Sequence, residues 1–335
     1  MKSAIKKVIM LTLSVVICYT ILEIVIRKRF PHYDPRRQIV FHILDDYNGA
    51  AIGPAGETIR QRTPKGDYDL LIPFNRHGFR DNQDLTESTA TDFFAVGDSF
   101  TMGWGVQENE RFSNLVAENT DLRIFNIGIP GDFLQYIGLV HYARDRGAVI
   151  SNMLVGVCMN NDLKNYNTPD KFQPMIYGDR SRWKARLRAE LQSRSAVYLA
   201  CSYELQQIPA LRRMFEKAGI ARDINELTLQ NIYDQDVLIS SADMCRQLAE
   251  LVNPNQAWFV IIPSLALWIG DHRESEARIQ TEFIDLLKER GLRVLDLTPA
   301  FEATGRPRDF YFETDAHWNA AGHAMAAEQI SAWLK

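Results

Sequence analysis

The chain has 335 residues, of which 46% are hydrophobic and 24% are charged, a balance typical of a globular protein with a sizeable core. Its formal net charge of -4 and pI of about 6.0 argue against a nucleic-acid-binding protein, because such proteins are usually basic. The sequence contains no GxxxxGK phosphate-binding signature and no CxxC pair among its four cysteines, so no cofactor, disulfide framework or cysteine metal cluster is expected.

The N-terminus carries the first strong signal, an apolar run within "MKSAIKKVIMLTLSVVICYTILEIVIRKRF". The run extends from Val8 to Ile26 and is interrupted mainly by Glu23. Its length of about 19 residues is close to the roughly 20 that cross a bilayer as a helix, and it exceeds the roughly 7–15 apolar residues of a cleaved signal peptide. We therefore predict an uncleaved signal anchor over residues 1–30, with a buried core helix as the alternative.

Basic residues flank this run on both sides, so the orientation of the anchor stays open. The three lysines before it favour a cytoplasmic N-terminus, which would place the remaining chain outside the cytoplasm. The basic residues 27–29 at its other end would also fit a cytoplasmic domain. Charge alone therefore does not choose between the two sides of the membrane.

Residues 31–90 follow as a juxtamembrane extension. Proline and glycine interrupt it so often that we expect no long regular element. The segment "PFNRHGFRDNQD" (Pro73–Asp84) predicts an ordered loop before the next domain. Its Arg76, His77 and Arg80 would suit an anionic group, but we interpret them as surface residues that cap turns or form ion pairs.

From residue 91 to 335, short apolar runs alternate with amphipathic segments. The predicted strands are Phe93–Val96, Arg123–Ile127, Met153–Cys158, Trp258–Ile262 and Arg293–Leu295. The predicted helices are Arg111–Asn119, Tyr136–Arg146, Ser241–Val252, Glu274–Arg290 and a last one from Ala320 onward. This alternation is typical of an α/β domain in which helices cover both faces of a parallel sheet.

Residues 163–240 interrupt the alternation of strands and helices. They are rich in Arg, Leu, Ala and Gln, which predicts a helical insertion. Three interpretations stay open for it: a lid over a site, a segment that packs on the membrane through its basic residues, and a solvated pair of helices.

The stretch "FFAVGDSFTMGWGV" places Ser99 directly after the first predicted strand and at the start of a helix. Ligands of open parallel sheets bind at the carboxyl ends of the strands, and a helix N-terminus favours developing negative charge. Gly97 would permit a sharp turn before the serine. Ser99 is therefore a candidate nucleophile, although an ordinary helix cap at Asp98 or Ser99 would give the same letters.

The next two strands also end in polar loops. In "FNIGIPGDFLQ" the backbone N–H of Gly131 could approach a substrate oxygen closely, although a plain turn would also need this glycine. In "VGVCMNNDL" the side-chain amide of Asn161 could donate to an oxyanion, although a strand-to-helix cap is the simpler alternative.

Near the C-terminus, "ETDAHWNAAGH" contains an Asp-x-His pair. In an extended segment Asp315 and His317 point to the same side, so His317 is a candidate base and Asp315 the carboxylate that orients it. His323 lies within the following helix, and we interpret it as structural or exposed. A metal site at Asp315 and His317 lacks the further ligands that it would need.

Taken together, the order Ser, Gly, Asn and His resembles the SGNH, or GDSL-type, hydrolase family. The matching blocks are "AVGDSFTMGWGV", "NIGIPGDFLQ", "VCMNND" and "DAHWNAAGH", and "IPFNRHGFRD" resembles the segment before the catalytic domain of membrane-anchored bacterial members. The resemblance implies a three-layer flavodoxin-like sandwich with a central parallel sheet. It also implies Ser99 as nucleophile, His317 as base, and an oxyanion hole formed by the N–H groups of Ser99 and Gly131 and the side chain of Asn161.

One position departs from the commonest family pattern. Many members place the acid three residues before the histidine, where this chain has Thr314, whereas Asp315 lies two residues before it, as in the alginate acetyltransferase-like branch. The resemblance therefore implies an ester hydrolase, with an O-acyltransferase as the alternative on the same triad. A catalytically inactive glycan-binding protein is a third hypothesis, which the intact set of site residues argues against.

The resemblance and the anchor together suggest a single-pass protein of the bacterial inner membrane with an extracytoplasmic, periplasmic catalytic domain. The expected substrate is a small acyl ester, such as an O-acetyl group on an envelope carbohydrate, and a lipid ester is the alternative. Trp104 and Trp318 flank the site blocks, where they would either stack on sugar rings or belong to the core. No nucleic-acid partner is expected.

Overall fold

The computed structural model of the chain describes residues 2–35, 41–63, 66–167, 191, 193–206, 208, 210–211, 213–214, 234–270 and 272–335. It begins with helix α1 (Lys2–Arg29). Within α1, the segment Ile9–Arg29 reaches a mean hydropathy of 2.4 and is long and apolar enough to cross a membrane. This helix coincides with the segment that the sequence predicts as an anchor.

Two small antiparallel hairpins follow α1. Strand β1 (His42–Leu44) pairs with β2 (Ala50–Ile52), and β3 (Thr58–Arg62) pairs with β4 (Asp69–Pro73). The strands are only 3 to 5 residues long, as the frequent proline and glycine residues lead one to expect.

A five-stranded sheet forms the centre of the fold, and all of its strands are parallel. The strands are β5 (Phe93–Val96), β6 (Ile124–Asn126), β7 (Asn152–Cys158), β8 (Ala257–Ile262) and β9 (Arg293–Asp296). Their order in the sheet is β6-β5-β7-β8-β9, so the chain first moves from β5 to the edge strand β6 and then crosses back over β5 to β7 and onward. The five predicted strands are confirmed, with ends that differ by no more than one residue.

Helices follow each strand of the sheet along the chain. They are α2 (Ser99–Met102), α3 (Phe112–Thr120), α4 (Phe133–Asp145), α5 (Met159–Asp162), α6 (Ala196–Gln206), α7 (Gln235–Ala249), α8 (Arg273–Glu289), α9 (Thr298–Glu302) and α10 (Ala320–Leu334). The largest difference from the sequence prediction is α7, which begins six residues before Ser241. The reason is that Asp234 caps it, by accepting a hydrogen bond from the N–H of Asp236 at 3.0 Å.

The two faces of the sheet belong to two separate hydrophobic cores. Along β5, Phe94 and Val96 pack with helices α4, α7 and α8, whereas Phe93 and Ala95 pack with α3, α9 and α10. This division follows from the strand geometry, since successive side chains point to opposite faces. The sequence prediction of an α/β sandwich with a central parallel sheet is therefore confirmed.

The extension before the sheet contributes to the first of these cores. Ile72 and Phe79 are fully buried there together with Phe94. Helix α4 lies so close to the extension that a Cβ atom on Gly138 would be 1.9 Å from the carbonyl oxygen of Tyr47. The hairpins are thus packed onto the sheet rather than separate from it.

Glu23, the charged residue that interrupts the apolar run, caps helix α6. Its carboxylate accepts hydrogen bonds from the backbone N–H of Ala196 at 2.8 Å and of Val197 at 3.0 Å. These donors have no partner inside their own helix, so the cap stabilises the start of α6. Of the predicted insertion 163–240, α6, the start of α7 and a few neighbouring residues are described, and the other residues of that prediction lie outside the described part of the chain.

The turn after β5 depends on a glycine. Gly97 has φ of +154°, which side chains disfavour. A Cβ atom at this position would lie 2.3 Å from Thr101 Oγ1 and 2.8 Å from the carbonyl oxygen of Gly156. Gly97 therefore permits β5, β7 and the helix that begins at Ser99 to approach one another closely.

We expect Gly97→Ala to lower the free energy of unfolding more than Gly305→Ala does. Gly305 also has positive φ (+71°), but no atom lies within 4 Å of its added Cβ, so this control carries only a backbone cost of about 1 kcal/mol. Gly97→Ala should lose about 1–3 kcal/mol more than this backbone cost, because the added methyl group overpacks the turn. Urea unfolding of the detergent-solubilised chain measures both, and equal losses would contradict the close packing at Gly97.

Candidate active site

Ser99 begins helix α2 at the carboxyl end of strand β5, which lies between β6 and β7 in the sheet. Asp98 is the N-cap of that helix, and its Oδ1 accepts a hydrogen bond from the N–H of Phe100 at 2.9 Å. Because the capping is done by Asp98, the Ser99 hydroxyl remains available for another partner. The sequence left open whether this motif is a helix cap or a nucleophile. In the structure Asp98 is the cap, and the neighbouring Ser99 is the candidate nucleophile.

The structure brings Ser99 and His317 together. The Oγ of Ser99 lies 2.7 Å from the Nε2 of His317. On the other side of the ring, the Nδ1 of His317 hydrogen-bonds to the Oδ1 of Asp315, and the same oxygen accepts the backbone N–H of His317 at 3.1 Å. The Asp-x-His spacing thus lets one carboxylate hold both the backbone and the ring of the histidine.

The charges of this pair shift both pKa values. Burial would raise the pKa of Asp315, but the charge of His317 and three donated hydrogen bonds lower it to about 2. Burial would lower the pKa of His317, but the charge of Asp315 and the hydrogen bond to it raise that pKa above the usual 6.5. Asp315 is therefore a stable anion at neutral pH, and the imidazole can hold a proton more firmly than a free histidine does.

Two aromatic rings hold the imidazole in place. Trp104 stacks on His317 with the ring centroids 5.7 Å apart and the planes inclined by 25°, and Phe100 contacts His317 at 4.9 Å. Trp318, in contrast, is 1% exposed and lies within the second core. Of the two tryptophans that flank the site blocks, Trp318 is a core residue and Trp104 contacts the candidate base.

Asn161 lies beside Ser99 because a buried carboxylate holds it. Its Nδ2 donates to the Oδ2 of Asp98 at 2.7 Å. Asp98 is fully buried, and burial raises its pKa, while the hydrogen bond from Asn161 and the charge of His317 act in the opposite direction. Asp98 therefore caps the helix of Ser99 through one oxygen and orients Asn161 through the other.

A cavity of about 220 Å³ opens beside these residues. Ser99, His317 and Asn161 line it, together with Cys158, Leu265 and Ala316 among others. Gly131 is absent from the lining of this cavity, so the structure does not bring it to the same wall as Asn161. Within the described part of the chain, the backbone N–H groups of Ser99 and Gly131 have no hydrogen-bond acceptor.

Arg80 is buried, so its interpretation as a surface residue is wrong. Its guanidinium donates to the carbonyl oxygens of Gly103 and Val106, in the loop that follows Ser99. Burial and the neighbouring Arg111 lower the pKa of Arg80 to about 9. A buried charged side chain is tolerated when its donors are paired, and the loop carbonyls pair both Nη groups of Arg80, whereas its Nε has no partner among the described residues. Arg76, in contrast, forms the expected surface ion pair with Asp84 at 2.7 Å.

The extension also supplies a residue that the sequence gave no reason to select. The hydroxyl of Tyr68 donates to the Oδ2 of Asp315 at 2.9 Å, and the indole N–H of Trp104 donates to the oxygen of Tyr68. Tyr68 lies 247 positions from Asp315 and stands in no recognisable motif. Only the packing of the β3–β4 hairpin against the loop before α10 brings these residues together.

Comparison with known families gives a match at the C-terminus. Residues 269–335 match the family described as "SGNH hydrolase-like domain, acetyltransferase AlgX". This segment includes Asp315 and His317 and ends at the last residue. No curated protein sequence matches the chain.

Two solved structures are similar to this chain at low sequence identity. A member of the lipolytic protein G-D-S-L family from Veillonella parvula is 11% identical, with a TM-score of 0.39, over 71% of this chain and 94% of its own. The lipase/acylhydrolase from Enterococcus faecalis is 10% identical, with a TM-score of 0.41, over 72% of this chain and 95% of its own. Because both scores lie below 0.5, the fold assignment rests on the sheet order and layers described above.

The C-terminal match agrees with the resemblance that the four sequence blocks carry. It includes the Asp-x-His spacing that departs from the commonest pattern of the family. Over residues 269–335 the chain is therefore similar to the SGNH hydrolase-like domain of the AlgX acetyltransferase family.

Proposed function

We propose that this chain is a membrane-anchored serine esterase that hydrolyses small acyl esters through Ser99, His317 and Asp315. The observation that carries the proposal is the 2.7 Å contact between Ser99 Oγ and His317 Nε2, with Asp315 bonded to the opposite ring nitrogen. A hydroxyl, a base and a residue that orients the base are the three parts that an activated serine requires.

The reaction proceeds in two halves. Ser99 Oγ attacks the ester carbonyl carbon while its proton passes to His317 Nε2, and His317 then returns that proton to the alcohol as its C–O bond breaks. Water attacks the carbonyl carbon of the resulting acyl-enzyme while its proton passes to His317 Nε2. His317 then gives that proton to Ser99 Oγ as the bond between Oγ and the acyl carbon breaks and the carboxylic acid leaves. Asp315 keeps the Nδ1–H tautomer and stabilises the imidazolium in both halves.

The negative charge that develops on the carbonyl oxygen needs donors that are not already used. We assign this role to the N–H group of Ser99 and to the Nδ2 of Asn161, since both residues line the cavity, whereas Gly131, the third donor expected from the sequence, does not. The Ser99 N–H has no acceptor among the described residues, and Nδ2 has a second hydrogen beyond the one given to Asp98. Loss of one such donor typically costs about 10²–10³ in rate.

The cavity supports a small acyl group. A volume of about 220 Å³ beside Ser99, lined in part by Cys158, Leu265 and Ala316, suits an acetyl group better than a long fatty acyl chain. The matched family is named for an acetyltransferase, so we assign O-acetyl esters of an envelope or extracellular carbohydrate as the substrate class. Helix α1 would hold the domain at the inner membrane, facing the periplasm.

O-acetyl transfer is the second candidate function, and the family description and the Asp-x-His spacing favour it. The same acyl-enzyme would then pass its acetyl group to a sugar hydroxyl instead of water. We expect free acetate to be the main product when an acetylated donor and a glycan acceptor are supplied together. Mass spectrometry of the glycan separates the two functions, since acetylated glycan in excess of acetate would establish transfer.

We expect Ser99→Ala to abolish acetate release from aryl acetates and labelling by a fluorophosphonate probe, because Ser99 is the hydroxyl that bonds to His317 Nε2 and no other hydroxyl of the described residues does so. Ser264→Ala is the matched control: this serine also lines the cavity but caps a short helix through its hydroxyl, so the variant should keep both activities. Unchanged activity in Ser99→Ala would reject the serine mechanism and leave the glycan-binding hypothesis.

We expect kcat/KM to fall on the acid side with a midpoint above pH 6.5, because His317 acts only when neutral and its pKa is raised. Removal of the Asp315 charge by Asp315→Asn should shift that midpoint to lower pH and reduce kcat by a factor on the order of 10⁴. A pH–rate series with an aryl acetate measures both effects. A midpoint that does not move in the variant would contradict the coupling of the two residues.

A further inference from the structure

The carboxylate of Asp315 has two oxygens, and both are occupied. Oδ1 serves the backbone and ring of His317, and Oδ2 accepts the hydroxyl of Tyr68 at 2.9 Å. A carboxylate that is bonded on one side only can rotate away from its histidine, whereas bonds at both oxygens fix its plane. The second bond comes from outside the sheet domain, from the extension that follows the anchor.

The direction of the Tyr68 hydrogen bond is determined by its other neighbour. The indole N–H of Trp104 can only donate, and it donates to the oxygen of Tyr68. The hydroxyl hydrogen of Tyr68 is therefore directed at Asp315. Burial and the charge of Asp315 also raise the pKa of Tyr68, so the phenol stays protonated and remains a donor.

The β3–β4 hairpin holds Tyr68 in this position. Asp67 accepts the backbone N–H of Thr314 at 3.1 Å and the hydroxyl of the same residue, so two successive hairpin residues bind two successive residues of the loop before α10. The ring of Tyr68 packs on Phe312 at 5.0 Å. A Cβ atom on Gly105 would come within 2.7 Å of that ring, so this glycine makes room for it.

We propose that Tyr68 is a positioning residue, which orients the Asp315 carboxylate toward His317 and makes the juxtamembrane hairpin part of the catalytic machinery. The proposal rests on the proposed esterase function. Tyr68 is absent from the lining of the cavity, so it acts on the rate of the reaction and not on the binding of the ester.

Tyr68→Phe tests the proposal, with Tyr47→Phe as the matched control. Tyr47 also lies in the extension, and its hydroxyl also donates to a carboxylate oxygen, that of Asp145 at 2.8 Å. Unlike Asp315, Asp145 does not bond to His317, and neither Tyr47 nor Asp145 lines the cavity. We expect Tyr68→Phe to lower kcat for an aryl acetate about 10- to 100-fold, with KM within about twofold, because a charge-assisted hydrogen bond is lost. Tyr47→Phe should leave both constants unchanged.

A double-mutant cycle distinguishes positioning from a general loss of stability. In an Asp315→Asn background the carboxylate is already absent, so Tyr68→Phe should lower kcat no further. An equal loss in both backgrounds, or a parental kcat in Tyr68→Phe, would overturn the proposal. Ser99→Ala in the same assay separates the two proposals. If Ser99→Ala is inactive, either of these contradicting results rejects the role of Tyr68 and leaves the esterase function standing. A fully active Ser99→Ala would overturn the esterase function and this proposal together.

Discussion

A hydrogen bond between two residues 218 positions apart, Ser99 and His317, is the contact on which the site depends. Ser99 follows the strand that lies inside the sheet, next to the point where the strand order reverses, and His317 lies in the loop before the last helix. Neither residue is near the other in sequence. They meet because parallel strands deliver the segments that follow them to one edge of the sheet.

Buried charges hold that contact in place. Asp98, Arg80 and Arg111 are almost wholly removed from water, and a buried charge without partners is strongly unfavourable. One oxygen of Asp98 accepts a hydrogen bond from the helix of Ser99 and the other accepts one from Asn161. Arg80 donates to the loop that follows Ser99. The bonds that make this burial tolerable therefore also hold the helix that begins at Ser99 and the loop that follows it.

The extension between helix α1 and the sheet has a structural role that its composition does not predict. Its hydrophobic residues enter the core beside β5, and its second hairpin contacts the loop that carries Asp315 and His317. The segment that connects the sheet domain to helix α1 therefore also supports Asp315 from behind, outside the lining of the cavity. A change in how the hairpin packs would reach Asp315 through two hydrogen-bonded residues.

Local patterns were enough to predict the sheet strands to within one residue, because the alternation of apolar runs and amphipathic segments is a property of neighbouring residues. The resemblance of the four sequence blocks to the SGNH family implied that Ser99, Asn161, Asp315 and His317 share one site. In the structure Ser99, Asn161 and His317 line one cavity, and Asp315 bonds to His317. The tertiary structure alone decided that Trp104 stacks on the histidine, that Arg80 is buried, that Gly131 lies off the cavity wall, and that Tyr68 contacts Asp315. These contacts join segments from tens to hundreds of residues apart through side-chain packing, which no short stretch of sequence encodes.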